Sequence, residues 1–538
     1  MTYVVTPDQM RTAEQRAIDS GRSEADLMRD AASGMAEWID NRHVGGDDAA
    51  HVFALAGPGK NGGDAIVTVA NLVERGWTGS VYLVDRDDFG DLPADSSSLE
   101  AIKRVSDAAG IPAAAVILDG IYGLRGRAEL PETASNAIAA VVDARRLHRT
   151  PIVAIDLPSG VDADTGEASD NALQADVTLT IGFMKQGLLN EPAATLAGAV
   201  EIIDLGLAPP DNASIAVVTQ EMVSSWFPRR RATAGKHDHG GLLIIGGAPM
   251  YFGAPRLAAE AALRVGTGLV GAAVPRMLVG TIASQLPEVV FVPLSDSDPR
   301  RSVSDLNDAI TSEHARYTAV VLGPGLGQDE PATALLARLF GQATSRSVAP
   351  IGFGALRTDD DEPAPEESAL AAVPVVLDAD ALNWLANQEN WPSLLGNISA
   401  VMTPHKGEMA RLLGVDVDEV TRDPRDTARS AAKAWGQVVV LKGGYTTVAA
   451  PDGRVFVAPR ATPELATPGT GDVLAGVIGG FLAQGLEPLH AALAGVFIGA
   501  ETGDRVRSSF GRRGFLARDL ITRIQGFWHD IDEPDWWM

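Results

Sequence analysis

One local pattern recurs along this chain and restricts its fold more than anything else does. A short apolar run stops at a glycine or an acid, and a segment with helical spacing follows. "HVFALAGPGKNGGDAIVTVANLVERG" (51–76), "AAAVILDGIYG" (113–123) and "PIVAIDLPSGVDADTG" (151–166) carry it in the first two fifths. "GGLLIIGGAP" (240–249), "YTAVVLGPGLGQ" (317–328), "VPVVLDADALNWL" (373–385) and "QVVVLKGGYTTVAA" (437–450) carry it further on. Apolar runs of four or five residues separated by helix-length segments predict parallel strands, because parallel neighbours need a crossover. In such sheets ligands gather beyond the carboxyl ends of the strands. Asn61, Asp119 and Asp156 all fall at those ends.

At 538 residues the chain exceeds one ordinary α/β domain. "LAPPDNAS" (207–214) reads as a joint, with two prolines and no periodicity. We expect a first domain over 1–210, a linker over 211–218 and a second domain over 219–538. Residues 8–43 read as helix with a break near Gly21. The acidic stretch 357–368 reads as an insertion, and the Trp-rich tail 527–538 either folds back or docks on a neighbour.

Charge and cysteine remove several functions. A net charge of −26 argues against a broad nucleic-acid surface or a basic membrane-binding face. Cysteine is absent, which excludes disulfides, zinc–thiolate sites and a thiol nucleophile. No apolar run has spanning length, and the amino terminus lacks the features of a secretory signal, so the expected compartment is the cytoplasm. His237 and His239 form a His-x-His pair without further ligands nearby and read as a loop rather than a metal site.

The turn chemistry is richest in "ATPGTGDVLAGVIGGFLA" (466–483). Small residues at Thr470–Gly471 let a phosphate approach the backbone, and the following helix offers its positive end. Asp472 then stands where a carboxylate can take a proton from a hydroxyl lying against that phosphate. No G-x-x-x-x-G-K-[ST] motif occurs, so the chain is not a P-loop protein. "LKGGYTT" (441–447) offers Lys442, backbone amides and Thr446 to a nucleotide. "TPHKGEMARLL" (403–413) puts His405 in a turn before a helix, with Glu408 as its capping partner. Asp378 and Asp380 read either as helpers in placing Mg²⁺ or as strand-end caps.

Taken in order, "LLIIGGAPMYFGAPRLAAEAALRVGTGLV", "GPGLG", "VLDADALN", "TPHKGEMARLL", "LKG" and "PGTGDVLAG" strongly resemble the NAD(P)H-hydrate dehydratases of the ribokinase-like superfamily. The resemblance implies that Ala254, Gly327, His405 and Asp472 contact a hydrated nicotinamide nucleotide. It implies that Lys442, Gly443, Gly444, Tyr445, Thr446 and Gly471 contact ADP or ATP, with Mg²⁺ on the phosphates. "GPGKNGGDAIVTVA", "LDGIYGLRG" and "AIDLPSGVDADTG" resemble the NAD(P)H-hydrate epimerases. That implies K⁺ on Asn61, Asp119 and Ser159, substrate against Lys60, Asn61, Gly62, Gly63, Asp64, Gly123 and Asp156, and proton transfer by Asp119 or Asp156. The fold so implied is a Rossmann-like three-layer αβα domain followed by a ribokinase-like αβα domain. The activities implied are interconversion of R- and S-NADHX or NADPHX and ADP- or ATP-dependent dehydration of the S form, in a homo-oligomer that needs neither nucleic acid nor membrane.

Lys60, Ala65, Leu124 and Arg125 depart from the epimerase pattern. Lys60 and Arg125 either grip a pyrophosphate or mark a weakened epimerase, and Lys60 also fits a plain solvated surface. A small-molecule kinase of the same fold accounts for the GTGD turn but not for the first domain. A binding scaffold, of the kind that resembles the first domain in RNA decay, is at odds with the acidity.

Overall fold

The computed structural model describes residues 2–43, 50–107, 110–124, 126, 129–227, 231–295, 297–312, 316–342, 369–511 and 513–532, with side chains up to 529. Arg125, the 357–368 stretch and residues 533–538 of the tail lie outside them. The chain divides into two compact units, Met1–Val217 and Val218–Met538.

Seven parallel strands form the main sheet of the first unit. Their order is Lys103–Val105, Thr78–Leu83, His51–Ala56, Val116–Gly120, Ile152–Ile155, Val177–Ile181 and Ala199–Ile203. The chain starts in the third position, runs out to one edge, then returns to build the other side. The order therefore reverses between His51–Ala56 and Val116–Gly120, and a crevice opens at that switch. Period-two alternation sorts the side chains between the faces. Val52, Ala54 and Ala56 pack with Met10, Ala31, Met35 and Ile66, from the helices Pro7–Asp19, Glu24–Arg42 and Lys60–Glu74. Phe53, Leu55 and Ile117 pack with Ala137, Ile138 and Val141 of the helix Glu132–His148. These are the three layers expected. The stretch 211–218, expected as a linker, contains the strand Ile215–Val217. It pairs antiparallel with Thr2–Val5, which also lies parallel to Met184–Lys185.

The second unit is likewise three-layered. Its parallel strands run in the order Val290–Leu294, Leu269–Pro275, Gly241–Ile245, Ala319–Leu322, Val375–Leu377, Ala400–Met402 and Val438–Leu441. Thr447–Ala449 and Val455–Val457 extend the sheet antiparallel. Here the reversal falls between Gly241–Ile245 and Ala319–Leu322. The helix Thr470–Ala483 lies over Leu242 and Val321 and against the helix Gly253–Arg264. Gly476 makes that approach possible, since a Cβ there would stand 2.1 Å from the Ala258 carbonyl oxygen. The start of the Trp-rich tail folds back: Phe527 is buried, and Trp528 Nε1 donates to the Arg264 carbonyl at 3.0 Å.

Candidate functional site

In the second unit the GTGD turn becomes the amino end of a helix. Gly469 takes φ +91°, a left-handed conformation suited to glycine, and the helix begins at Thr470. First-turn N–H groups, among them those of Gly471 and Asp472, lack intrahelical acceptors and so are open to an anion. The Thr470 hydroxyl donates back to the Leu465 and Thr467 carbonyls at 2.5 and 2.9 Å, which fixes the turn.

Asp472 stands beside a second charged group. Lys442 Nζ lies 2.8 Å from Asp378 Oδ1 and 3.7 Å from Glu408 Oε2. It is also close to Gly471, where an added Cβ would come within 3.4 Å of it. Burial pulls the Lys442 ammonium down, but Asp378 and Glu408 outweigh it and the net shift is upward, so Lys442 stays charged. Burial pushes the Asp472 carboxyl up to about 7; the Asp378 charge adds to this and Lys442 opposes it. A carboxylate with proton affinity near neutrality is suited to general-base work.

The remaining loops close around this pair. His405 caps the helix Lys406–Leu413, its Nδ1 accepting from the Gly407 and Glu408 N–H groups, while Glu408 accepts from the His405 N–H at 2.7 Å. This is the capping role expected for Glu408. His405 also bridges to Lys442 through the strand ends. Gly327, at φ +83°, donates its N–H to Asp380 Oδ2 at 2.8 Å. Gly325 backs onto Tyr251 and Ala254, where any Cβ would come within 2.9 Å of the Ala254 methyl. A cavity of about 370 Å³ opens alongside, lined by His405, Lys442, Gly443, Gly444, Thr446 and Gly471 among others. Tyr445 is buried and absent from that lining; Asp472, Ala254 and Gly327 also lie outside it.

In the first unit Asn61, Asp119, Gly123, Asp156 and Ser159 converge at the switch point. Asp119 is fully buried and accepts from the Ser159 N–H at 2.7 Å and the Ser159 hydroxyl at 2.6 Å. Burial pushes its carboxyl up to about 6 against those hydrogen bonds. Gly123 has no room for a side chain: a Cβ would sit 2.7 Å from Asn61 Oδ1 and 3.3 Å from Asp156 Oδ2. Asp156 holds φ +65°, uncommon for a residue with a Cβ. Asp64 shares a helix face with Asn61, three residues on, and burial with the charges of Asp156 and Glu14 pushes it up to about 8. Gly62 and Gly63 lie in the first turn of that helix, and Gly62 sits tightly on the Gly57 backbone. Lys60 opens the helix on the exposed surface, 2.9 Å from Glu24. Ala65 fills the space that Gly120 leaves, and Leu124 packs on the apolar core.

Lys185 was not among the expected site residues. It is 1% exposed, and its Nζ lies 2.5 Å from both Asp156 Oδ1 and the Ile181 carbonyl. Its signal was a lone lysine in the apolar run "IGFMKQGLL". Glu14, which shares the field of Lys185 and Asp156, was also missed; burial raises its proton affinity. In the second unit the missed group is Thr403, whose hydroxyl donates to Asp378 at 2.7 Å. His237 and His239 form an exposed turn, and no cluster of three or more His, Cys, Asp or Glu capable of holding a metal occurs among the described residues.

Comparison with known proteins adds to this geometry. Residues 242–526 match the family model described as NAD(P)H-hydrate dehydratase, and residues 24–187 match YjeF-related protein N-terminus. The bifunctional NAD(P)H-hydrate repair enzyme Nnr of Moorella thermoacetica is 33% identical, with 94% of this chain and 93% of that protein covered. The protein of the same name from Coxiella burnetii is 31% identical, covering 98% of this chain and 99% of its own. Among solved structures, the ADP/ATP-dependent NAD(P)H-hydrate dehydratase from Bacillus subtilis, co-crystallised with ATP/Mg²⁺, is 26% identical. It covers 59% of this chain and 98% of its own at a TM-score of 0.47.

Proposed function

Because this chain belongs to the bifunctional NAD(P)H-hydrate repair enzymes, we propose that its second unit dehydrates S-NADHX and S-NADPHX and that its first unit supplies the S form from the R form. The observation that carries the proposal is Asp472, a half-buried carboxylate with proton affinity near neutrality, set between a helix amino end and Lys442.

The chemistry follows from the leaving group. The hydrated ring carries a hydroxyl on carbon 6, and hydroxide departs poorly. Asp472 takes the hydroxyl proton as that oxygen attacks the terminal phosphorus of ADP or ATP, and AMP or ADP departs. The ring nitrogen lone pair then expels phosphate from carbon 6, a proton leaves carbon 5, and the dihydronicotinamide is restored. Lys442 and the Gly471 N–H hold the donor phosphates, with Gly443, Gly444 and Thr446 along the same cavity. Ala254, Gly327 and His405 hold the hydrated nucleotide. Mg²⁺ supplies charge neutralisation on the phosphates. Asp378 and Asp380 each have one oxygen engaged within the protein and would help to place that ion only through the other.

In the first unit Asn61, Asp119 and Ser159 are our proposed K⁺ ligands. The fit rests on the oxygens of the set: the fully buried Asp119 carboxylate, the Ser159 hydroxyl bonded to it, and the Asn61 Oδ1 that faces Gly123. An oxygen-rich set of this kind suits a hard cation. Asp156, held against Lys185, and Asp119 handle the proton that lets water leave carbon 6 and return on the other face. Homo-oligomer assembly and a cytoplasmic setting belong to the same proposal. The test is an assay of hydrated NADH with ADP, Mg²⁺ and K⁺: return of NADH with AMP and phosphate supports it, and a stable phosphorylated product overturns it.

A further inference from the structure

Asp378 and Asp380 flank Ala379, which adopts φ +49° and ψ −115°. A residue with a Cβ is held in such a conformation only where its surroundings fix it, and such strain gathers at functional sites. Neither carboxylate behaves as a cap. The helix that starts at Asp380 receives no side-chain hydrogen bond at its N-cap. Asp380 Oδ2 instead accepts from the Gly327 N–H, 53 residues away in sequence. Asp378 is 2% exposed, and its Oδ1 accepts from Lys442 Nζ at 2.8 Å and from the Thr403 hydroxyl at 2.7 Å. Glu408, a second carboxylate paired with Lys442, is farther off at 3.7 Å and already committed to the His405 N–H. The GPGLG loop is fitted against this turn, since a Cβ on Gly323 would lie 1.9 Å from the Asp378 carbonyl oxygen.

From this we infer that Asp378 and Asp380 are positioning residues with separate tasks: Asp378 sets Lys442 for the donor phosphate, and Asp380 holds the Gly327 backbone in place against the hydrated nicotinamide. The inference rests on the dehydratase reading of this unit. The strained alanine between them turns one carboxylate toward Lys442 and the other toward the Gly327 N–H, so a single three-residue segment aligns the groups for both reactants.

Asp378→Asn, Asp380→Asn and Thr403→Val test it, with folding checked by thermal melting. ADP affinity is measured by calorimetry without the second substrate, and the KM for the S epimer of hydrated NADH by NADH return. Asp378→Asn is expected to weaken ADP about tenfold and leave the hydrated-nucleotide KM within roughly twofold. Asp380→Asn is expected to do the reverse. Thr403→Val, which loosens Asp378 without removing its charge, is expected to weaken ADP by a smaller factor and spare the other KM. The acid limb of kcat/KM should also move to lower pH in Asp378→Asn, because Asp472 then faces only Asp380 and Lys442 among the charges acting on it. Variants that affect both ligands alike, or that lower the melting temperature while both affinities and the pH profile stay put, overturn the inference. Absence of NADH return in the unmutated protein contradicts the dehydratase reading instead, and the ADP arm still decides the role of Asp378.

Discussion

Asp472 and Asp64 are raised by the same cause, burial, and their consequences differ. For Asp472 the free enzyme must lose a proton near pH 7 before it can act as a base. The kcat/KM for dehydration should therefore rise through about pH 7 and level off above it. Asp472→Asn keeps the shape and the helix amides but cannot take a proton. It should lower turnover by about 10²–10⁴-fold, with ADP affinity nearly unchanged by calorimetry. Asp64 bears on stability. Burial lifts it from 3.8 in the unfolded chain to about 8 in the fold, so across that window the native state holds the extra proton. Its contribution is full below pH 4 and is lost as pH rises through 8. Asp64→Asn should then stabilise the first unit at pH 9 by on the order of 5 kcal/mol relative to the unmutated protein, and by well under about 1 kcal/mol at pH 4. Melting curves at the two pH values check this.

At the scale of elements, the site of the second unit depends on how closely two helices meet. Gly476 lets Thr470–Ala483 rest on the backbone of Gly253–Arg264. The neighbour is main chain and cannot swing aside, so Gly476→Ala should cost about 1–3 kcal/mol. The same helix carries the turn, where a Cβ on Gly469 would stand 2.7 Å from Leu257, so activity should fall with the melting temperature. The strands and turns of both sites were legible in the sequence because each is a local pattern of apolar run, small residue and acid. Pairings across the sheet were not. Asp378 meets Lys442 64 residues on, through the strand order of the folded sheet, and no window of sequence contains both. Ile215–Val217 reads as linker in the sequence because three residues show no period, and its partner Thr2–Val5 lies at the other end of the unit.

For the whole molecule, the fusion brings together two steps on one substrate, a conversion between epimers and a removal that accepts one of them. The residues proposed for each step lie within one unit, so each step should fail alone. Asp119→Asn should abolish use of the R epimer and leave S-dependent NADH return within roughly twofold, since the role proposed for it belongs to the first reaction only. The two-part plan was legible because both sets of loops are contiguous motifs. Lys185 escaped because buried lysines are rare and its partner Asp156 lies 29 residues away. The most direct test of the account gives the purified protein the R epimer alone, with ADP, Mg²⁺ and K⁺, and follows NADH, AMP and phosphate together. The account predicts that all three appear in equal amounts and that Asp472→Asn forms them at least about a hundredfold more slowly while still forming the S epimer. Conversion of S but not R would contradict the role given to the first unit, and NADH return by Asp472→Asn at the unmutated rate would contradict the mechanism itself.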